Sequence, residues 1–157
     1  MTDNFHEAPG MLLQKDLPDH HDAELVLRAY ELRREPVMRE ARDALTADYW
    51  PRNAEEAVAI TRADHPLNKA YRQVVGYWEM IYGMAVHGIV HADYLVENCG
   101  EGLFLFTRVE PYLAELRAQS SPRSFHNTEW AARETAAGRR MMEALRPRIA
   151  RMAAARA

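Results

Sequence analysis

The stretch YRQVVGYWEMIYGMAVHGIV, residues 71–90, decides the fold. Wound at about 100° per residue, it places Tyr71, Val74, Trp78, Ile81, Tyr82, Ala85 and Ile89 on one side. The other side carries Arg72, Gly76, Glu79, Met80, Gly83, His87 and Val90. Neither side has the charged character of a half-exposed helix surface. The expectation is a central buried helix, about residues 67–90, enclosed by other helices or closed by a partner. Lipid is not the expected surrounding, because Glu79 lies near the middle of the apolar run and a central carboxylate costs about 3 kcal/mol in a bilayer.

Helical signals continue in both directions. Asp19 can cap a first helix running to about Arg34 and burying Leu25, Ala29 and Leu32. Pro36 suits the first turn of a second helix, whose stripe is Val37, Met38, Ala41, Ala44 and Leu45, and which ends at Trp50-Pro51. Asn53 caps a short third helix with Glu55 and Glu56 in its first turn. Beyond the central helix, residues 91–99 form another short helix, with Gly100 expected as its left-handed cap.

Leu103-Phe104-Leu105-Phe106 alone could be a buried strand. The apolar phase from Leu105 through Val109, Tyr112, Leu113 and Leu116 favours one helix kinked at Pro111. A last helix opens near Asn127-Thr128 and carries Met141, Leu145, Ile149 and Met152 on one stripe, with Pro147 as an interruption. The fold class is therefore all-α, an irregular bundle of five to seven helices. Residues 1–18 read as an arm, with Met11-Leu12-Leu13 available to dock on the body. Residues 19–146 read as one helical domain, and 147–157 as a basic tail free to kink away or fray.

A chain of 157 residues suits one domain and buries enough surface to fold without cross-links. Cys99 is the only cysteine, which excludes an intrachain disulfide and a cysteine-rich zinc site. The first residues lack the basic and apolar segments of an export signal, so the expected location is cytoplasmic. From Arg139 onward six arginines face a single acid, Glu143, while the rest of the chain is acidic. That balance argues against a broad nucleic-acid footprint. It leaves Arg139, Arg140, Arg146, Arg148, Arg151 and Arg156 beside an adaptable methionine-bearing stripe as an interaction tail.

Gly76 and Gly83 lie seven residues apart and leave a notch along the second face of the central helix. Each costs about 1 kcal/mol relative to alanine, which points to close approach of another helix or to a backbone-floored cavity. Arg72, Glu79 and His87 border the notch as candidate ligand-binding residues. An enclosed Glu79 is expected to meet a cation, whether Arg72, Arg33 or Arg117. His87 and His91 stand on adjacent turns at a spacing that can hold one metal ion, with Asp93 or Glu97 as an oxygen donor. Gly88 between them can turn them apart. No phosphate-binding loop and no nucleophile elbow is present.

Tyr77-Trp78-Glu79, His87-Gly88-Ile89-Val90 and Tyr112-Leu113-Ala114-Glu115-Leu116-Arg117 together resemble a pattern in bacterial all-helical proteins grouped as a domain of unknown function. That pattern is an aromatic–Glu pair, a Gly-aliphatic helix end and a later helix finishing in Leu/Ile-x-x-Arg. The resemblance spans about residues 68–132. It implies an all-helical fold and a structural link between Glu79 and Arg117, and it implies no activity. The leading expectation is a helical module that self-associates or binds another protein. A small-molecule site or enzyme at Arg72, Glu79 and His87 is the second reading, and a metal site at His87 and His91 the third. No catalytic residue and no cofactor is assigned.

Overall fold

Asp19 closes the first turn of α1 (His20–Arg33) through a reciprocal pair of bonds with Asp22, so the chain enters the bundle at a defined point. The computed structural model describes residues 16–157, so Met11-Leu12-Leu13 and most of the N-terminal arm lie outside the described residues. After α1 come α2 (Pro36–Asp48), α3 (Ala54–Ala59), α4 (Asn68–Val86), α5 (Ala92–Asn98) and α6 (Glu101–Val109). A 3-10 turn, Glu110–Tyr112, leads to α7 (Leu113–Gln119), α8 (His126–Glu134) and α9 (Ala136–Ala154). Among the described residues there is no strand, and no helix is long and apolar enough to cross a membrane.

The bundle has more pieces than the five to seven expected because two long segments break. Pro111 divides the expected kinked helix into α6, the 3-10 turn and α7. Thr135 ends α8 and caps α9 with its own hydroxyl, splitting the last segment. α9 then passes Pro147 without ending, in contrast to the expected fray. Pro147 and Glu143, whose carbonyl loses its donor, are both exposed, while Ile149 beyond them is buried.

α4 lies at the centre and packs mainly on α2 and α8, while α9 covers α8, α6 and α5. The core is aromatic. Trp78 stacks on Tyr82 with ring centroids 5.5 Å apart, and Phe125 meets Tyr71 and Phe106 edge-on or tilted. Two hydroxyls of the core are paired with backbone: Tyr82 donates to the Cys99 carbonyl at 2.7 Å and Tyr49 to that of Ala57 at 2.9 Å. Gly102 lets the first turn of α6 rest on these rings, since a Cβ there would stand 2.6 Å from Tyr82 and 2.8 Å from Trp78.

The central helix is shorter and less enclosed than expected. It ends at Val86, and Gly88, at φ 68°, reverses the chain, so Ile89 emerges half exposed while Val90 turns inward. Gly100 is not a left-handed cap. Its φ of −80° is right-handed, and its missing side chain instead admits the Met141 sulfur, which would stand 2.3 Å from a Cβ.

Candidate functional site

Glu79 is where the second face of α4 meets another element, and its partner is backbone rather than a cation. Phe125 sits at φ 57°, a left-handed conformation held by burial of its ring. That turn aims the first amides of α8 at α4, and Phe125 has no side-chain oxygen to cap them. Glu79 supplies the cap from outside: its carboxylate accepts from Asn127 N at 3.0 Å, Thr128 N at 2.9 Å and Thr128 Oγ1 at 2.6 Å. The negative charge also opposes the positive end of the α8 dipole. Asn127 Nδ2 donates to the Glu79 carbonyl at 2.9 Å and occupies the space in front of Gly83.

The expected Glu79–Arg117 ion pair is therefore not made. Arg117 pairs with Glu129 at 3.2 Å and donates to the Ser124 carbonyl, bracing the loop that delivers α8 to Glu79. Arg33, another expected partner, joins Arg42 on Glu101 at 3.1 and 2.5 Å. Arg72 and His87 are exposed and do not converge on Glu79. The three-residue ligand site has no common cavity because Gly83 is filled by Asn127, which separates the two ends of the face.

The two histidines also part. His87 ends α4, whereas His91 begins α5, its Nδ1 accepting from Tyr94 N at 3.1 Å and its own amide donating to Asp22 at 2.9 Å. Asp93 is turned to the Ala137 amide at 2.7 Å. Among the described residues no three His, Cys, Asp or Glu side chains gather as a metal would need.

The basic tail lies along the body. Arg140 reaches Glu97 at 3.5 Å, Arg146 reaches Glu110 at 2.8 Å, and Arg139 donates to the Arg133 carbonyl. Arg148 stands over the Phe104 ring and Arg156 over that of Trp50, leaving Arg151 exposed.

Two further features bear on function, of which the first is the cavity alternative for the glycine notch and the second was not foreseen. Gly76, unlike Gly83, faces open space: among the described residues nothing lies within 4 Å of where its Cβ would be. It opens onto a groove of about 430 Å³ floored by Met38 and Tyr77 and edged by Leu32, Arg72 and Met80. The second feature is Arg108, buried in α6 at 6% exposure without a carboxylate partner. Its Nη1 donates to the carbonyls of Leu45 and Tyr49 at the end of α2, at 2.8 and 2.6 Å. Burial pushes its pKa down to about 10. A visible signal existed, since Arg108 is the one charged residue between Gly102 and Val109 in an otherwise apolar phase.

No curated protein and no solved structure matches the chain. A family model does, over residues 18–135, from just ahead of α1 to the Thr135 cap, so it takes in α1 to α3, which the resemblance over 68–132 left out. Its description is a domain of unknown function, DUF4760, and with most of its length matched the chain belongs to that family.

Proposed function

We propose that the chain is a helical association module that pairs with a second copy along the exposed stripe Arg72–Gly76–Met80 of α4. The observation that carries this reading is Gly76. A glycine inside a 19-residue helix costs about 1 kcal/mol relative to alanine, and none of the described residues uses the space it leaves. The surroundings support an apolar contact: Met80 is 51% exposed and Leu32 38%, and both line the groove that Gly76 opens. Two α4 helices crossing antiparallel at Gly76 would bring each Met80 over the aliphatic stem of the other's Arg72, with both guanidinium groups left in water.

Light scattering across micromolar concentrations tests the reading. The full chain should approach twice its monomer mass as concentration rises, and Met80→Glu should hold it at the monomer mass with unchanged helical ellipticity. A monomer throughout the concentration series would overturn the pairing, as would a dimer indifferent to Met80→Glu.

A further inference from the structure

On the face where α9 meets the end of α2 and the 3-10 turn there is a cleft of about 280 Å³, independent of the α4 stripe. Its walls are apolar, built from Trp50, Pro51, Tyr112 and Ile149 together with Ala150 and Ala153 of α9. Arg108 lines it, although its side chain is more than nine-tenths buried. Nη1 is used by the Leu45 and Tyr49 carbonyls, and among the described residues Nε is buried with no partner and Nη2 makes no hydrogen bond. The guanidinium lies 4.9 Å from the Trp50 ring centroid and 5.2 Å from that of Phe104, which holds its plane against aromatic walls.

Positive charge prevails at this place, with Glu101 acting on Arg108 only at a distance and making no ion pair with it among the described residues. Arg156 stands 4.1 Å over the Trp50 ring and Arg148 5.9 Å from that of Phe104, and neither pairs with a carboxylate among the described residues. The one acid lining the cleft, Glu110, is held by Arg146 at 2.8 Å and lies within 3.8 Å of Arg133. A buried guanidinium is costly unless something negative meets it, and carbonyl dipoles at a helix end meet only part of the charge.

We infer that this cleft binds a small organic carboxylate with a planar, apolar body. The carboxylate would accept from the unused Nη2 of Arg108, with Arg148 and Arg156 adding long-range attraction, while the body lies against Trp50 and Tyr112. The volume is at the low end for ligand sites and suits one ring with a short substituent. Trp50 supplies the readout, since its indole forms a wall of the cleft.

Benzoate titrated into the full chain, followed by tryptophan fluorescence and by calorimetry, is the direct test. Saturable binding is expected, with benzyl alcohol and inorganic phosphate each at least about tenfold weaker, because one lacks the charge and the other the apolar body. Ala153→Phe, at an exposed position of α9, should fill the cleft and abolish binding while leaving helical ellipticity intact. Arg108→Lys keeps a charge but loses the second nitrogen, and should weaken benzoate about tenfold or more. Should that variant fail to fold, Ala153→Phe decides. Absence of saturable benzoate binding, equal binding of phosphate or of benzyl alcohol, or benzoate binding that survives Ala153→Phe would each overturn the inference.

Discussion

One substitution made at two places on the same line of α4 should have different outcomes. Gly76→Ala adds a methyl group where none of the described residues lies within 4 Å, in the interior of a helix, so only the intrinsic preference acts. The expected gain is about 1 kcal/mol. Gly83→Ala carries the same intrinsic gain, but its methyl would stand 2.9 Å from Asn127 Nδ2. Relief requires the Asn127 side chain to leave the Glu79 carbonyl, losing a bond of about 1 kcal/mol. If the Asn127 amide moves with it, a bond to a charged carboxylate of roughly 1.5–3 kcal/mol weakens as well. The net effect at Gly83 runs from zero to about 2 kcal/mol of lost stability, so the two variants should differ by about 1–3 kcal/mol. At about 2–4 °C per kcal/mol for a chain of this size, Tm rises by about 3 °C for Gly76→Ala and stays level or falls for Gly83→Ala. Thermal melts at submicromolar concentration, where pairing does not contribute, check this. Equal stabilisation by both variants would refute the account of Asn127 as a close-packed filler of the notch.

Glu79→Ala removes the outside cap of α8 and leaves two amides and a hydroxyl to find other acceptors. A loss of about 2–4 kcal/mol is expected in urea titrations, with Glu79→Gln milder because one acceptor oxygen survives. Alkaline pH should unfold the protein cooperatively. Burial raises the hydroxyl pKa of Tyr49, Tyr71 and Tyr82 well above 10, and pushes that of Tyr77 up to about 12. In the unfolded chain these groups ionise near 10, so above that pH the unfolded state has fewer bound protons and each tyrosine removes about 1.4 kcal/mol of stability per pH unit. Arg108 acts with the opposite sign, because its folded pKa lies below its unfolded one, but it is one group against four. Phenolate absorbance should rise in step with the loss of helical ellipticity; gradual ionisation of all the tyrosines in an intact fold would contradict their burial.

The helices were legible because apolar residues repeat at helical spacing and because Asp19, Asn53 and Pro36 mark starts by their own chemistry. The sequence also picked out Glu79 as a carboxylate needing a partner inside the bundle. Its partner was not legible, since a backbone amide carries no residue signature and Asn127 stands 48 positions away. Gly76 and Gly83 look alike in sequence; only the path of α8 distinguishes the filled notch from the open one. At the histidine pair, the left-handed Gly88 breaks the helical phase between His87 and His91, the alternative that its place in the sequence offered. Arg108 was overlooked because its role depends on where α2 ends, which no spacing within α6 encodes.

The borrowed caps carry a consequence for how the chain reaches its native state. Asp22 serves the amide of His91, Glu79 those of Asn127 and Thr128, and Asp93 that of Ala137, across separations of 69, 48 or 49, and 44 residues. α5, α8 and α9 therefore begin at residues whose amides are satisfied only once distant segments have arrived. α5 and α9 also have local caps in His91 and Thr135, whereas α8 has none, so its start above all is tied to global topology, which favours all-or-none folding over stepwise assembly from preformed pieces. In hydrogen-exchange measurements these four amides should open together, on the slow timescale of whole-molecule unfolding, although they sit at helix ends, where fraying is ordinarily fastest.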